Sequence, residues 1–578
     1  MLNNLRYSVY IAFFVLLLSG CEEQGADKIM HNAQIWTVDD QNPQAEAVAV
    51  QDGEIIAVGS DDQVMDYQGS NTEMLDLEGA FVLPGFQDNH VHFASAARFL
   101  EFNIMQVDSQ EEFVDRVEDV TTRLEQGEWI IGGFWGAYDD WTAGAAGAQQ
   151  EGSRFTPDIT LIEDITGDYP MFIRRFDSSE FGVNRKAMEI VGIDPDNPEA
   201  EGIEFEMDEN QNPTGIISGD GVEELFEEHL PDDFSRQRRL EQTRNALAEL
   251  AEFGVTTVSD MSDDTQVELY EELEQQGELT SRIHYRYHLE RWQELADEGI
   301  QPGDGSDRLR FGSLKGHIDG IMGNSTARFF EPYDHMPDER GNWRRLMLNE
   351  EGEPDPDQFL DYMVQADNAG LQLTIHAIGD EANHLLMDLY EQLEEINGER
   401  DRRFRLVHAQ VMQQDDIERM GEHDMIAEVQ PIHLSDDMRW MEERIGTGRS
   451  EGAYAFNSID EAGAMLSFGT DWPGTAASEY PINPMLGLYA ATTRKTLEGE
   501  PEGGWFPGEQ IDMETAIRAY TYNTAYANHM EDMVGSIEVG KRADLSVWEE
   551  NVFELSPEEL HGNSALYTLV DGEIVFAK

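Results

Sequence analysis

The sequence predicts an α/β protein: a parallel sheet, open or closed into a barrel, beside a small β-sandwich built from both ends of the chain. Three observations predict it. Short apolar runs alternate with helical patterns through the middle of the 578 residues. Two distant segments share one hairpin pattern. Histidines and an aspartate recur where the apolar runs stop.

The sandwich is read from the chain ends. "AVAVQDGEIIAVGS" (Ala47 to Ser60) and the closing "LYTLVDGEIVFAK" each set β-prone residues around an Asp-Gly pair. That pair marks a tight hairpin, because the turn needs positive φ. Residues 27–84 and 535–578 are assigned to the sandwich and 85–534 to the larger domain inserted between them. Within that domain "GVTTVSDM", "LRFGSLKGHIDG", "LQLTIHAIGD", "FRLVHAQ", "MIAEVQPIH" and "AMLSFGTDWP" read as buried strands. "PDQFLDYMVQADNAG" and "DEANHLLMDLYEQLEEI" read as helices between them. Residues from about 105 to 235 are less regular and rich in Gly, Asp and Pro, and read as an insertion or elaborated loops.

Composition removes one class of partner. With 38 basic and 118 acidic residues the formal charge is −80, which repels phosphate backbones and excludes nucleic-acid binding. Hydrophobic residues at 40% mark a folded chain with a hydrated acidic surface. The N-terminal "MLNNLRYSVYIAFFVLLLSGC" reads as a secretory signal over residues 1–20. Its Leu-Ser-Gly-Cys ending resembles the bacterial lipoprotein signal, with Cys21 lipidated. Glu22 follows, which favours the outer membrane, facing the periplasm, with the lipid as the only membrane contact. Cys21 is the single cysteine, so disulfides and cysteine ligands are excluded.

The chemistry sits at strand ends. In "LPGFQDNHVHF", His90 and His92 are two apart and face the same way on a strand. "LTIH" ends in His376, "RLVH" in His408 and "LSFGTD" in Asp471. The carboxyl ends of parallel barrel strands are where active sites form. Neutral imidazoles with a carboxylate suit a zinc-like divalent ion. Lys315, in "SLKGHIDG", is costly inside a buried strand unless paired or neutral. Carbamylation is one solution, giving an anion able to bridge two metals about 3.5–4 Å apart. A contact with Asp319, or a phosphate-type contact, is the other. Trp135, Phe134 and Tyr138 are candidates for an apolar pocket lining.

Together these pieces resemble the metal-dependent amidohydrolase superfamily, in the branch of the N-substituted formamide deformylases. "LPGFQDNHVH", "GVTTVSDM", "LKGHIDGIMGNSTA", "TIHAIGDEAN", "LVHAQ", "VQPIHLSDD", "FGTDWP" and "GSIEVGKRADLSVW" carry the resemblance, in the family order. It implies a distorted (β/α)8 TIM barrel with a small β-sandwich from both termini, and one or two divalent metal ions, zinc above all. The first-strand pair falls on His90 and His92, and the lysine, carbamylated in binuclear members, on Lys315. The next ligands fall on His376 and His408, and the last-strand aspartate on Asp471. Gln430 and His433 match a segment near the substrate. In one departure, "FDSSEFGVN" places Ser179 where relatives often carry a histidine, which bears on the substrate.

The expected activity is hydrolysis of non-peptide carbon–nitrogen amide bonds in a small molecule by metal-activated hydroxide. Asp471 is general base, then general acid. A ring-amine deaminase, an ester or lactone hydrolase, and a non-catalytic small-molecule-binding envelope lipoprotein are the alternatives. Oligomeric state is left open by the sequence.

Overall fold

A computed structural model describes residues 25–105, 107, 109–136, 155–175, 179–219, 221–227, 229–231, 234–474 and 482–578. The leader, Cys21 and Tyr138 lie outside the described residues. No described helix is long and apolar enough to cross a membrane.

The chain ends build two facing sheets. The first contains β1 (Lys28–His31), β4 (Ala47–Gln51), β5 (Glu54–Gly59) and β6 (Glu73–Asp76), in the order β5-β4-β1-β6. The second contains β2 (Gln34–Trp36), β3 (Gln44–Ala45), β7 (Phe81–Pro84), β21 (Leu545–Trp548), β22 (Ala565–Val570) and β23 (Glu573–Ala577). Here the two ends meet: β7 runs antiparallel to β21, with Val82 opposite Val547. Met30, Val48, Val50, Leu545, Val547 and Leu569 pack into a common core. Both Asp-Gly pairs form the expected turns, with φ of 52° and 79° at Asp52 and Gly53 and 53° and 72° at Asp571 and Gly572. Positive φ at both central residues matches the twist of the flanking strands.

The barrel is an eight-stranded parallel sheet. Its strands are β8 (Phe86–Val91), β14 (Val255–Met261), β15 (Arg282–His288), β16 (Leu309–His317), β17 (Leu373–Ala377), β18 (Arg405–His408), β19 (Ile426–Val429) and β20 (Met465–Phe468). Every strand named from sequence is present, and Pro356–Asn368 and Asp380–Asn397 are helices as expected. The sequence reading passed over β15. Arg282, His284, Arg286 and His288 recur along it at every second residue, so one face is polar and no apolar run exists.

The described residues between β8 and β14 are more regular than their composition suggests. They form a five-stranded sheet in the order β12-β13-β11-β10-β9, made of β9 (Ile130–Trp135), β10 (Met171–Arg175), β11 (Phe181–Val183), β12 (Glu204–Met207) and β13 (Pro213–Ser218). This insertion has apolar clusters of its own, one around Phe113, Trp135 and Ile173, another around Phe172, Phe181 and Phe226. A buried ion pair fastens it to the barrel. Glu101 accepts from Arg238 Nη2 at 2.6 Å and Gln242 Nε2 at 2.9 Å, and Arg238 Nη1 donates to Trp129 O at 3.0 Å.

The barrel closes where β20 meets β8, and side chains do much of the closing. Asn89 Nδ2 donates to Ser467 O at 2.5 Å. Asp88 accepts from Thr470 N at 3.1 Å and Thr470 Oγ1 at 2.6 Å. Just past the strand ends, Asp471 N donates to His90 O and His92 N to Trp472 O, each at 2.7 Å. The approach leaves no room for a side chain at Gly469: a Cβ there would lie 2.4 Å from Asn89 Oδ1 and 2.5 Å from Asp88 Oδ1.

Deep in the barrel, Glu428 sits between two arginines. Arg286 donates to both carboxylate oxygens at 2.9 and 3.1 Å, and Arg405 Nη1 to Oε1 at 2.7 Å. All three side chains are fully buried. Burial alone would raise the Glu428 carboxyl, but Arg286 and Arg405 outweigh it and hold it at about 2.

Gly469→Ala should push the first and last strands apart and cost about 1–3 kcal/mol, read as a lower thermal midpoint. Glu428→Gln leaves two buried guanidinium groups without their counter-charge and should cost about 3–5 kcal/mol at neutral pH. Because Glu428 is depressed in the folded state, its stabilisation is present above the ordinary 4.5 and fades as pH falls toward 2. The gap between wild-type and variant midpoints should narrow over that window.

Candidate metal centre

The strand ends named from sequence converge. His90, His92, Lys315, His376, His408, His433 and Asp471 all line one cavity of about 360 Å³ at the carboxyl end of the barrel. The barrel closure places the first group. His90 and His92 lie at the end of β8 and both approach Asp471 Oδ1, at 3.2 and 3.1 Å from their Nε2 atoms. β16 supplies Lys315, whose Nζ is 3.3 Å from His90 Nε2. Lys315 therefore faces the histidines. Its alternative partner, Asp319, instead accepts from the backbone N–H groups of Arg328, Ile378 and Gly379.

β17 and β18 supply the second group. The His376 and His408 rings are 4.5 Å apart, and His408 is 5.4 Å from the His90 ring. Each imidazole is oriented by its outer nitrogen. His376 Nε2 donates to Gly320 O at 2.9 Å, leaving Nδ1 with the lone pair. His408 Nδ1 donates to Gln430 Oε1 at 2.8 Å, leaving Nε2. Gln430 thus orients a histidine and does not itself line the cavity.

The donor set fits a divalent cation. Ligand atoms of His90, His408 and Asp471 lie within 4.8 Å of one another. The Asp471 Oδ1 atom is buried against the two imidazole nitrogens of His90 and His92, and His90 Nδ1 is buried with no hydrogen-bond partner among the described residues. Burial, reinforced by Lys315, pushes His90 down to about 3, so its ring is neutral and its lone pair free. Burial likewise holds His408 well below the imidazole range. Burial would raise Asp471, but the imidazoles of His90 and His92 hold it well below the carboxylate range and ionised. Burial and the nearby Arg286 bring Lys315 down to about 7.

The backbone is bent to present these groups. His408, Ala409 and Asp471 have φ of 77°, 40° and 59°, a region that non-glycine residues rarely adopt. Such strain gathers at functional sites.

Other residues reach the cavity that the sequence reading did not assign. His317 follows Lys315 by two on β16, and its ring stands 5.2 Å from that of His376. The period-two alternation of a strand carried that signal. Gln410, Asp437 and Arg344 also line the cavity. The two aromatic candidates among the described residues do not. Trp135 is buried in the core of the insertion, and Phe134 lies under the Arg174 guanidinium at 4.7 Å. Ser179 accepts from Arg175 Nη1 at 2.9 Å and is likewise absent from the described lining.

A family model described as "Amidohydrolase family" matches residues 73–576. The chain is 29% identical over 569 residues to Protein LONG AFTER FAR-RED 3 of Arabidopsis thaliana, covering 95% of this chain and 92% of that protein. It is 26% identical over 574 residues to the N-substituted formamide deformylase of Arthrobacter pascens, covering 96% and 99%. An uncharacterized metal-dependent hydrolase from Pyrococcus furiosus has the same fold, with a TM-score of 0.70, 24% identity and coverage of 92% and 99%. With the match running from the first sandwich sheet to the last strand, this chain belongs to the amidohydrolase family.

Proposed function

We propose that the chain is a metal-dependent hydrolase of non-peptide carbon–nitrogen bonds in small amides. The observation that carries this reading is the convergence of His90, His92, His376, His408, Lys315 and an ionised Asp471 on one cavity at the barrel mouth. His90, His92, His376, His408 and Asp471 would hold the ion, zinc being the best match to that donor set. When bound there, a divalent ion lowers the pKa of water and polarises an acyl oxygen.

The chain's own groups manage the protons. Asp471, ionised, accepts a proton from water as its oxygen adds to the acyl carbon. It then returns that proton to the leaving nitrogen as the carbon–nitrogen bond breaks. The products are a carboxylic acid and an amine. His433, buried beside the cavity with Nε2 unpartnered, can donate to the substrate oxygen. Burial brings the Lys315 amine down to about 7, so about half of it is neutral at that pH. A neutral amine can add to carbon dioxide, forming a nitrogen–carbon bond and releasing a proton, and the resulting anionic carbamate would add its oxygens to the donor set for a divalent ion. The formamide class cleaved by the Arthrobacter pascens relative is a natural first substrate set. For the N-terminal segment, lipidation of Cys21 and an envelope location are the proposal, checked by loss of acyl labelling in Cys21→Ser.

Asp471→Asn should reduce turnover by about 10²–10⁴-fold while the protein still carries metal by elemental analysis. Full activity in that variant would remove Asp471 from the reaction. Lys315→Ala should carry less metal than wild type, and its metal content should not respond to added bicarbonate. Release of a carboxylic acid, and not of ammonia from a ring amine, separates amide hydrolysis from deamination.

A further inference from the structure

One lip of the cavity is not used by the chemistry above. After β16 the chain runs out as a long loop and then returns, so that Trp343 bridges to Asp319 and Arg344 N donates to Ile318 O at 2.8 Å. The return brings Arg344 into the cavity lining. Its Nε donates to Asp319 O at 3.1 Å. The Asp319 carboxylate is itself fixed by three backbone N–H groups and lies 3.4 Å from His376 Nε2. One nitrogen of the guanidinium is thus tied to a residue that abuts the candidate centre. Its two Nη groups have no partner among the described residues.

That freedom stands out in this chain. Acidic residues outnumber basic ones by 118 to 38. The arginines around this loop are paired with carboxylates, Arg328 and Arg340 with Glu381 and Arg345 with Glu290. Arg344 is exposed at a cavity mouth and faces no such partner among the described residues. Apart from Asp471, the carboxylate in the described lining is Asp437, and it is already bonded to Gln410 Nε2 and Tyr454 OH.

We propose that the substrate carries a carboxylate and that Arg344 receives it, making the substrate class an anionic amide such as an N-acyl amino acid. The proposal rests on reading the cavity as an amide-hydrolysing site. A guanidinium presents two adjacent N–H groups in the plane that a carboxylate matches bidentately. With Nε already anchored, the fork is pre-organised, so less conformational freedom is lost on binding. The acidic surface repels anions at long range, so selecting one requires a local cation at the entrance. Arg344 is that cation.

The test uses the full chain loaded with zinc. N-formyl and N-acetyl amino acids are compared with their matched carboxamides, which differ only in the charge of the far group. Wild type should show kcat/KM about 10–100-fold higher for the acids. Arg344→Gln should erase that ratio mainly through KM, and Arg344→Lys should restore part of it. Equal values for acid and carboxamide in wild type, or a ratio unchanged in Arg344→Gln, would overturn the proposal while leaving amide hydrolysis intact. If neither series is hydrolysed, the hydrolase reading fails and calorimetric binding of the same pairs decides Arg344 separately. Tighter binding of the acids that Arg344→Gln abolishes supports the carboxylate site, and equal binding overturns it.

Discussion

The last barrel strand meets the first through a seam built largely from side chains. Asn89 reaches Ser467, Asp88 holds Thr470, and the backbone of Asp471 bonds to that of His90. The candidate centre depends on this contact more than on any other. His90 and His92 come from the start of the chain's barrel and Asp471 from its end, yet both imidazoles approach one oxygen of that aspartate. The bare glycine at 469 is what permits the approach. Sheet closure and site assembly are therefore one event here. The positive φ at Asp471 turns its side chain into the cavity at the point where the strand leaves the ladder.

The Arg286–Glu428–Arg405 cluster carries a sign opposite to that of the chain as a whole. The chain as a whole is strongly acidic, but in this cluster two arginines, Arg286 and Arg405, flank one carboxylate, Glu428. This excess of positive charge lies near Lys315 and helps to depress its amine. The same field would favour an anion on that nitrogen. Burial acts on His90 and His408 in a parallel way, keeping the rings neutral as metal ligands must be.

Much of this was legible in the residues. The two Asp-Gly turns and the apolar strands needed only local rules, and the His-x-His, His and Asp endings stood out because an apolar run preceded each. What was hidden was hidden for definite reasons. β15 has an arginine or histidine at every second position, so no hydrophobic signal marked it. The insertion sheet contains the glycine pair Gly132-Gly133 and the largely acidic strand Glu204–Met207, which read as loop. His317 was in plain sight, on the same strand face as Lys315. Arg344 was not, because it reaches the cavity only when a long loop doubles back onto Asp319. Side chains placed by strand register can be anticipated from spacing, whereas those placed by a returning loop cannot.

The pairing of β7 with β21 carries a consequence for biosynthesis. Phe81–Pro84 lines up against Leu545–Trp548, and Asp544, just before β21, and Asp571, in the closing turn, both pair with Arg282 of β15. A nascent polypeptide cannot finish its second sheet until the closing strands have left the ribosome. For nearly the whole of translation the early strands wait with open edges, and the burden of keeping them from one another falls on the cell or on the mutual repulsion of so many carboxylates.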